Sequence, residues 1–245
     1  MGESIQKLTH IEHVLKRPDS YVGPVDIGSE SYWIFHKTDN QFKKKSVNYS
    51  PALLKIFDEI LVNAIDRNSV HPKSVTSISA GIDKETGSIT IENNGPLGGI
   101  GVRMHEKEGI WNPELTFGHL LTSTNYDDTK KRIVGGRNGY GAKLTNIYSS
   151  EFSIVIKDGE TKQCYTQKWN NNMTVCHPPK ITKHSASTSS VSITFIPDWK
   201  RFGMNKMDAS IYKIFEKRVW DANICTTQNC KVKFQGEALP KTSFE

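Results

Sequence analysis

Hydrophobic positions in residues 51–68 recur at helical spacing. Leu53, Phe57, Ile60, Leu61 and Ala64 fall on one face and Pro51 stands near the start, which predicts a long helix over 52–68. Upstream, Thr9-His10-Ile11-Glu12 is a capping box opening a short helix with Ile11, Val14 and Leu15, which ends before Pro18. Alternating runs around 75–82 and 88–92 predict two strands joined by a turn ending at Gly87. Asn112-Pro113-Glu114 predicts another helix, with Asn112 as cap and Pro113 at the first helical position, running to about Leu121. A helix is also expected from Ala142 to Tyr148. Runs at 152–156, 165–169 and 191–195 alternate as hairpin strands, and 185–190 is a loop. A last helix over about 207–221 precedes a closing strand at 231–234. There is no internal repeat. The sum is an α+β domain: a mostly antiparallel sheet with helices over one face.

The long helix also carries a polar stripe. Glu59, Asn63 and Asp66 stand at i, i+4 and i+7, nearly opposite the centre of the apolar face at about 100° per residue. Such a stripe is either a solvated face or a site. As a site it suits a magnesium nucleotide: Mg²⁺ takes hard oxygen ligands, one or two from protein and the rest from phosphate and water. The Asn63 carboxamide oxygen is one candidate ligand, and Glu59, a turn earlier, could orient and deprotonate water.

Further along, Gly135-Gly136-Arg137-Asn138-Gly139-Tyr140-Gly141-Ala142-Lys143 places four glycines in seven positions ahead of a lysine. Glycines let backbone N–H groups approach an anion closely, and the lysine adds a point charge. The P-loop pattern is not met, because Ala142 separates Gly141 from Lys143 and Leu144 stands where a hydroxyl is needed. The dinucleotide fingerprint lacks its third glycine for the same reason. Residues 123–141 are polar and glycine-rich, as expected of a mobile lid over a nucleotide.

Composition changes little. The 245 residues are 36% hydrophobic and 24% charged, the balance of one large globular domain. No apolar run of 18 residues occurs, and the start lacks a signal-peptide layout; Gln6 also breaks the myristoylation pattern. The net charge of +6 suits work near nucleic acid, but it is spread out, with short runs at Lys43-Lys44-Lys45 and Lys130-Lys131-Arg132. Cys164, Cys176, Cys225 and Cys230 lack paired metal spacing, so free buried thiols are expected. His119, in an apolar run, is expected to be a packed core residue. No G-x-S-x-G elbow is present.

Four strings carry a family resemblance: Phe57-Asp58-Glu59-Ile60-Leu61-Val62-Asn63-Ala64, Asn93-Asn94-Gly95, Leu120-Leu121-Thr122-Ser123-Thr124-Asn125-Tyr126-Asp127-Asp128, and the glycine loop closed by Lys143. With Leu15-Lys16-Arg17-Pro18-Asp19-Ser20-Tyr21-Val22-Gly23 and His177-Pro178-Pro179-Lys180-Ile181, they run collinearly over nearly the whole chain. The sequence resembles the N-terminal ATPase domain of eukaryotic-type DNA topoisomerase II, a branch of the GHKL superfamily. The resemblance implies a Bergerat-type two-layer α+β sandwich with an ATP lid, ATP and Mg²⁺ as cofactors, and ATP-driven homodimerisation gating duplex DNA. It implies Glu59 as general base, Asn63 as Mg²⁺ ligand, and Asn93 at the adenine end. Ser123, Thr124 and Asn125 match lid contacts to ribose and phosphate. Gly136, Arg137, Asn138, Gly139, Tyr140, Gly141, Ala142 and Lys143 match the loop over the phosphates, Lys143 being a phosphate ligand. Tyr21 matches an arm tyrosine reaching the partner subunit's nucleotide, and Asp66 falls in the helix motif.

The resemblance further implies an N-terminal arm over residues 1–25 and the ATP-binding domain over 26–245. It places the protein in the nucleus if cellular and eukaryotic, or in the host nucleus, cytoplasm or virion if viral, with no membrane association. Three departures stand out. The segment 96–101 is about two residues longer than usual. Arg67 replaces a common asparagine, adding a cation expected near the phosphate side, and Thr124 replaces a serine. No Gln-Thr-Lys follows residue 205, so the chain is expected to be the nucleotide-binding part of a longer protein that lacks the transducer. A different GHKL ATPase, gyrase-like or chaperone-like, and a non-hydrolysing nucleotide-responsive module are the alternatives.

Overall fold

The structure is a computed structural model and describes residues 5–36, 38–39, 41–122 and 139–241. Helix α1 (His10–Lys16) begins at the capping box: the Thr9 hydroxyl accepts from the Glu12 N–H and the Glu12 carboxylate accepts from the Thr9 N–H at 2.7 Å. A single 3₁₀ turn, Pro18–Ser20, follows. Strands β1 (Gly28–His36) and β2 (Gln41–Tyr49) then form an antiparallel ribbon of their own. Sequence periodicity did not predict this ribbon. Its packing is supplied from far along the chain, where Phe35 lies 4.5 Å, centroid to centroid, from Trp220. Lys43, Lys44 and Lys45 sit exposed on β2, Lys43 paired with Asp39.

Helix α2 (Pro51–Val70) starts at Ser50, whose hydroxyl accepts from Leu53 N–H, with Pro51 at its first position. Ala52, Leu53, Ile56, Phe57, Ile60, Leu61 and Ala64 are buried along it. Next come β3 (Ser77–Ile82) and β4 (Ile89–Asn94), joined by a turn in which Gly87 has φ +72°. Helix α3 (Asn112–Gly118) is shorter than expected. Its cap is Trp111, which offers no side-chain acceptor; Asn112 is already helical, so Pro113 is its second residue. The helix stops at Gly118, against which the Trp169 indole packs, and the Thr122 hydroxyl lies 2.8 Å from the carbonyl oxygens of both Leu115 and His119, with one hydrogen to donate to either.

Helix α4 (Gly141–Ile147) leads into β5 (Ser149–Asp158), β6 (Gln163–Asn170), β7 (Val175–Cys176), β8 (Lys180–Lys183) and β9 (Ser190–Pro197). Helix α5 (Ala209–Cys225), capped by Asp208, starts two residues later and ends four residues later than its pattern indicated. Strands β10 (Lys231–Phe234) and β11 (Glu237–Ala238) close the described chain. Among the described residues nine strands form one sheet in the order β11-β10-β3-β4-β9-β5-β6-β7, with β8 also on β6. All pairings are antiparallel except β10 with β3, which is parallel.

Strict alternation sends Ile78, Ile91, Phe152, Ile154, Ile193 and Phe195 to the buried face. Helices α2, α4 and α5 cover that face, and α2 meets α5 through Phe57 and Phe215, stacked 4.1 Å apart. The expected architecture is therefore present. The N-terminal stretch docks onto this body: Val14 and Val22 are buried, and the Tyr148 hydroxyl donates to the Val14 carbonyl at 2.6 Å. All four cysteines are free thiols, but only Cys230 is buried, because Cys176 lies on the short outer strand and Cys225 at the last turn of α5.

Candidate functional site

A cleft of about 920 Å³ opens between α2, the buried face of β4 and β9, and the segment from residue 97 to 122, with α4 at one end. Glu59, Asn63 and Asp66 all line it, so the polar stripe of α2 faces a cavity rather than bulk solvent. The stripe reaches this position because the opposite, apolar side of α2 is fixed in the core.

Glu59 is placed by two neighbours. Lys55, one turn earlier, pairs with one carboxylate oxygen. The other oxygen occupies the space beside Gly141, where an added Cβ would fall 1.9 Å from Oε2. Glycine at 141 is thus required by a close approach, and it brings the N-terminus of α4 directly against the acid. Helix α4 is itself pinned: the Thr145 hydroxyl donates to the Ile56 carbonyl at 2.8 Å and Asn146 Nδ2 to the Phe117 carbonyl at 3.0 Å.

Lys143 lines the same end of the cleft and is 1% exposed. Its Nζ donates to the carbonyls of Thr122 at 2.6 Å and Gly139 at 2.7 Å. Both partners are neutral, so burial is uncompensated by an anion and pushes the ammonium down to about 8. A phosphate would supply the missing charge.

The two asparagines at the end of β4 divide the work. Asn94 clamps the strand above it, accepting from the N–H groups of Thr76 and Ser77, both at 2.9 Å. Asn93 lines the cleft beside Ile91. The lengthened segment after them forms a 3₁₀ turn, Gly98–Ile100, and is held from the sheet by Asp158, whose carboxylate accepts from Val102 N–H at 2.9 Å. Three backbone N–H groups, of Val102, Glu160 and Thr161, hold the Asp158 carboxyl below its usual range against the opposing effect of burial.

Of the remaining predicted residues, Gly139, Gly141 and Ala142 line the cleft. Tyr140 packs on the core and does not line it. Ser123, Thr124, Asn125, Gly136, Arg137 and Asn138 lie outside the described residues. Tyr21 does not line this cleft; its hydroxyl hydrogen-bonds His13 Nδ1 at 2.9 Å. His119 is not a core residue. It follows α3, is half-exposed, lines the cleft and faces Glu114 at 3.7 Å. Arg67 lies near the Gly98 turn, two helical turns from Glu59, and so away from the Lys143 end where its charge was expected.

The floor residues Ile91, Val191 and Ile193 were missed as pocket residues, although their alternation placed them on the inner face. Asn63 can offer an oxygen to Mg²⁺ beside Glu59 and Asp66. Among the described residues no cluster of three or more His, Cys, Asp or Glu side chains could hold a metal ion.

A two-layer α+β sandwich with a polar helix stripe facing a glycine-bounded cleft is the arrangement that the GHKL resemblance implies. No family profile matches the chain. Among curated proteins it is 46% identical to DNA topoisomerase 2 of Candida glabrata over 244 residues and 44% identical to that of Saccharomyces cerevisiae, in each case over 100% of this chain and 17% of the relative. The crystal structure of the ATPase region of Saccharomyces cerevisiae topoisomerase II superposes with a TM-score of 0.93 at 44% identity, covering 98% of this chain and 62% of that one. Over its full length the chain corresponds to the ATPase region of type II DNA topoisomerases. It spans about one sixth of the length of those curated relatives.

Proposed function

We propose that the chain binds and hydrolyses Mg-ATP and serves as the nucleotide-operated gate of a type II topoisomerase, closing as a homodimer around duplex DNA. The observation that carries this reading is the meeting of Glu59, Asn63 and Lys143 on one cleft, with Gly141 packed against the acid. In this reading Glu59 takes the proton of the attacking water as its oxygen bonds the terminal phosphorus and the bond from that phosphorus to the bridging oxygen breaks, releasing ADP and phosphate. Lys143 gives up its two carbonyl partners and donates to the phosphate oxygens. Asn63 orients the ion that, when bound, neutralises charge on the phosphates. Asn93 and the apolar floor hold the base. The N-terminal stretch, with Tyr21, reaches the partner subunit's nucleotide. The protein works wherever its DNA is kept, the nucleus for a cellular enzyme; no described helix is long and apolar enough to cross a membrane.

The test is Glu59→Gln, which keeps size and polarity and removes the base. Nucleotide affinity is expected to stay within a few-fold while hydrolysis falls by about 10²- to 10⁴-fold. Undiminished turnover would remove Glu59 from the role, and Mg-ATP binding with no hydrolysis by the unmodified protein would favour a non-hydrolysing module.

A further inference from the structure

Among the described residues Arg67 is a cation without an ion-pair partner. It lines the cleft, its Nη2 is buried without a hydrogen-bond partner among the described residues, and its Nη1 lies 3.2 Å from where a Cβ on Gly98 would sit. Along α2 it stands eight residues from Glu59, about 12 Å at 1.5 Å per residue. Around the helix it falls about 80° from Glu59, between the polar stripe and the apolar face. That placement explains why it is partly sunk into the wall. A nucleoside triphosphate with its terminal phosphate at Glu59 and Lys143 has its base and sugar at this distance.

We propose that Arg67 is a nucleotide-binding residue for the nucleoside end, gripping the base and sugar rather than the phosphates. This rests on the Mg-ATP reading above. The chemistry suits the place. A guanidinium has five donors and no acceptor, so it meets the ring nitrogens of a base edge or the sugar oxygens. Its plane also stacks on a base face. The turn 98–100 backs it, and Asp158 backs the turn through Val102, so the guanidinium has a fixed platform rather than a free arm. Desolvation already lowers the Arg67 pKa, the mark of a charge waiting for a partner.

The experiment compares the unmodified chain with Arg67→Met, which keeps the apolar stem and removes the head, and with Arg67→Asn. Calorimetric titrations use the magnesium complexes of a non-hydrolysable ATP analogue and of inorganic tripolyphosphate, and thermal melts are run without nucleotide. Arg67→Met is expected to weaken the ATP analogue about tenfold, leave tripolyphosphate unchanged, and raise the ligand-free melting temperature because an unpaired buried charge is gone. A merely structural arginine would instead lower that temperature in both variants. Equal losses for the two ligands would make Arg67 a phosphate contact and overturn the proposal, as would an unchanged affinity for the ATP analogue. If the unmodified chain binds neither ligand, the Mg-ATP reading itself fails and this inference falls with it; if it binds both and Arg67→Met changes neither, only this inference falls.

Discussion

Gly141→Ala isolates the placement of Glu59 from the stability of the fold. The added Cβ would sit 1.9 Å from Glu59 Oε2, 2.9 Å from its Cδ and 3.4 Å from its Cβ. Those nearest atoms all belong to one flexible side chain and none to backbone, so the response is rotation of the Glu59 carboxylate out of the cleft wall. Forcing a side chain off its rotamer costs about 1 kcal/mol. Alanine recovers up to about 1 kcal/mol over glycine inside a helix, and Gly141 does not have a positive φ. The two nearly cancel, so the melting temperature is expected to stay within about 4 °C of the unmodified protein. Lys55 remains free to hold the displaced acid. Hydrolysis, followed by phosphate release, is expected to fall at least about 100-fold while affinity for a non-hydrolysable analogue changes little. Hydrolysis at the unmodified rate would refute the assignment of Glu59's position to this glycine. A drop in melting temperature beyond about 10 °C would refute the premise that only a side chain moves.

Other perturbations follow from the same geometry. Lys143 titrates near 8 in the fold and near about 10.4 in an unfolded chain, so between these values the unfolded state binds more protons and the fold gains stability as pH rises. The charged amine is the form that pairs with phosphate, so nucleotide affinity is expected to fall over the same window; melts and titrations from pH 7 to 10, with Lys143→Met as control, check the opposed trends, and a flat affinity would contradict them. Phe57→Ala removes one ring of the stacked pair joining α2 to α5 and is expected to cost about 3–5 kcal/mol in denaturant unfolding. A loss below about 1.5 kcal/mol would mean that the two helices are held elsewhere.

The sequence was most legible where structure is set locally. The Thr9–Glu12 capping box, the apolar stripe of α2 and the closing strand at 231–234 all appear where their patterns placed them. Elements that depend on distant partners were illegible. Tyr32-Trp33-Ile34-Phe35 is an unbroken apolar run in which Trp33 stays exposed while Ile34 and Phe35 are both buried, Phe35 against Trp220, and the three lysines of β2 mask its period. Likewise α3 ends early because Trp169 lies against Gly118, a contact made across the sheet. At the site, spacing alone put Glu59, Asn63 and Asp66 on one stripe, and only the fold shows that the stripe meets a cavity. Arg67 marks the limit: its place along the helix was known, but which end of the cleft lies there depends on where α4 and the Gly98 turn dock.

The parallel pairing of β10 with β3 has a cost in time. Residues 231–234 complete an edge offered by residues 77–80, and β4 likewise waits for β9 at residues 190–195. A ribosome adding about 5–20 residues per second takes roughly 8–30 s to travel from one partner of the first pair to the other. Throughout that interval β3, carrying Ile78, Ala80 and Ile82, has an unsatisfied backbone edge and an apolar face. Slow, non-local closure of this kind favours association between nascent chains, so the yield of soluble protein should depend on synthesis temperature and chaperone supply more than the finished fold's stability would suggest.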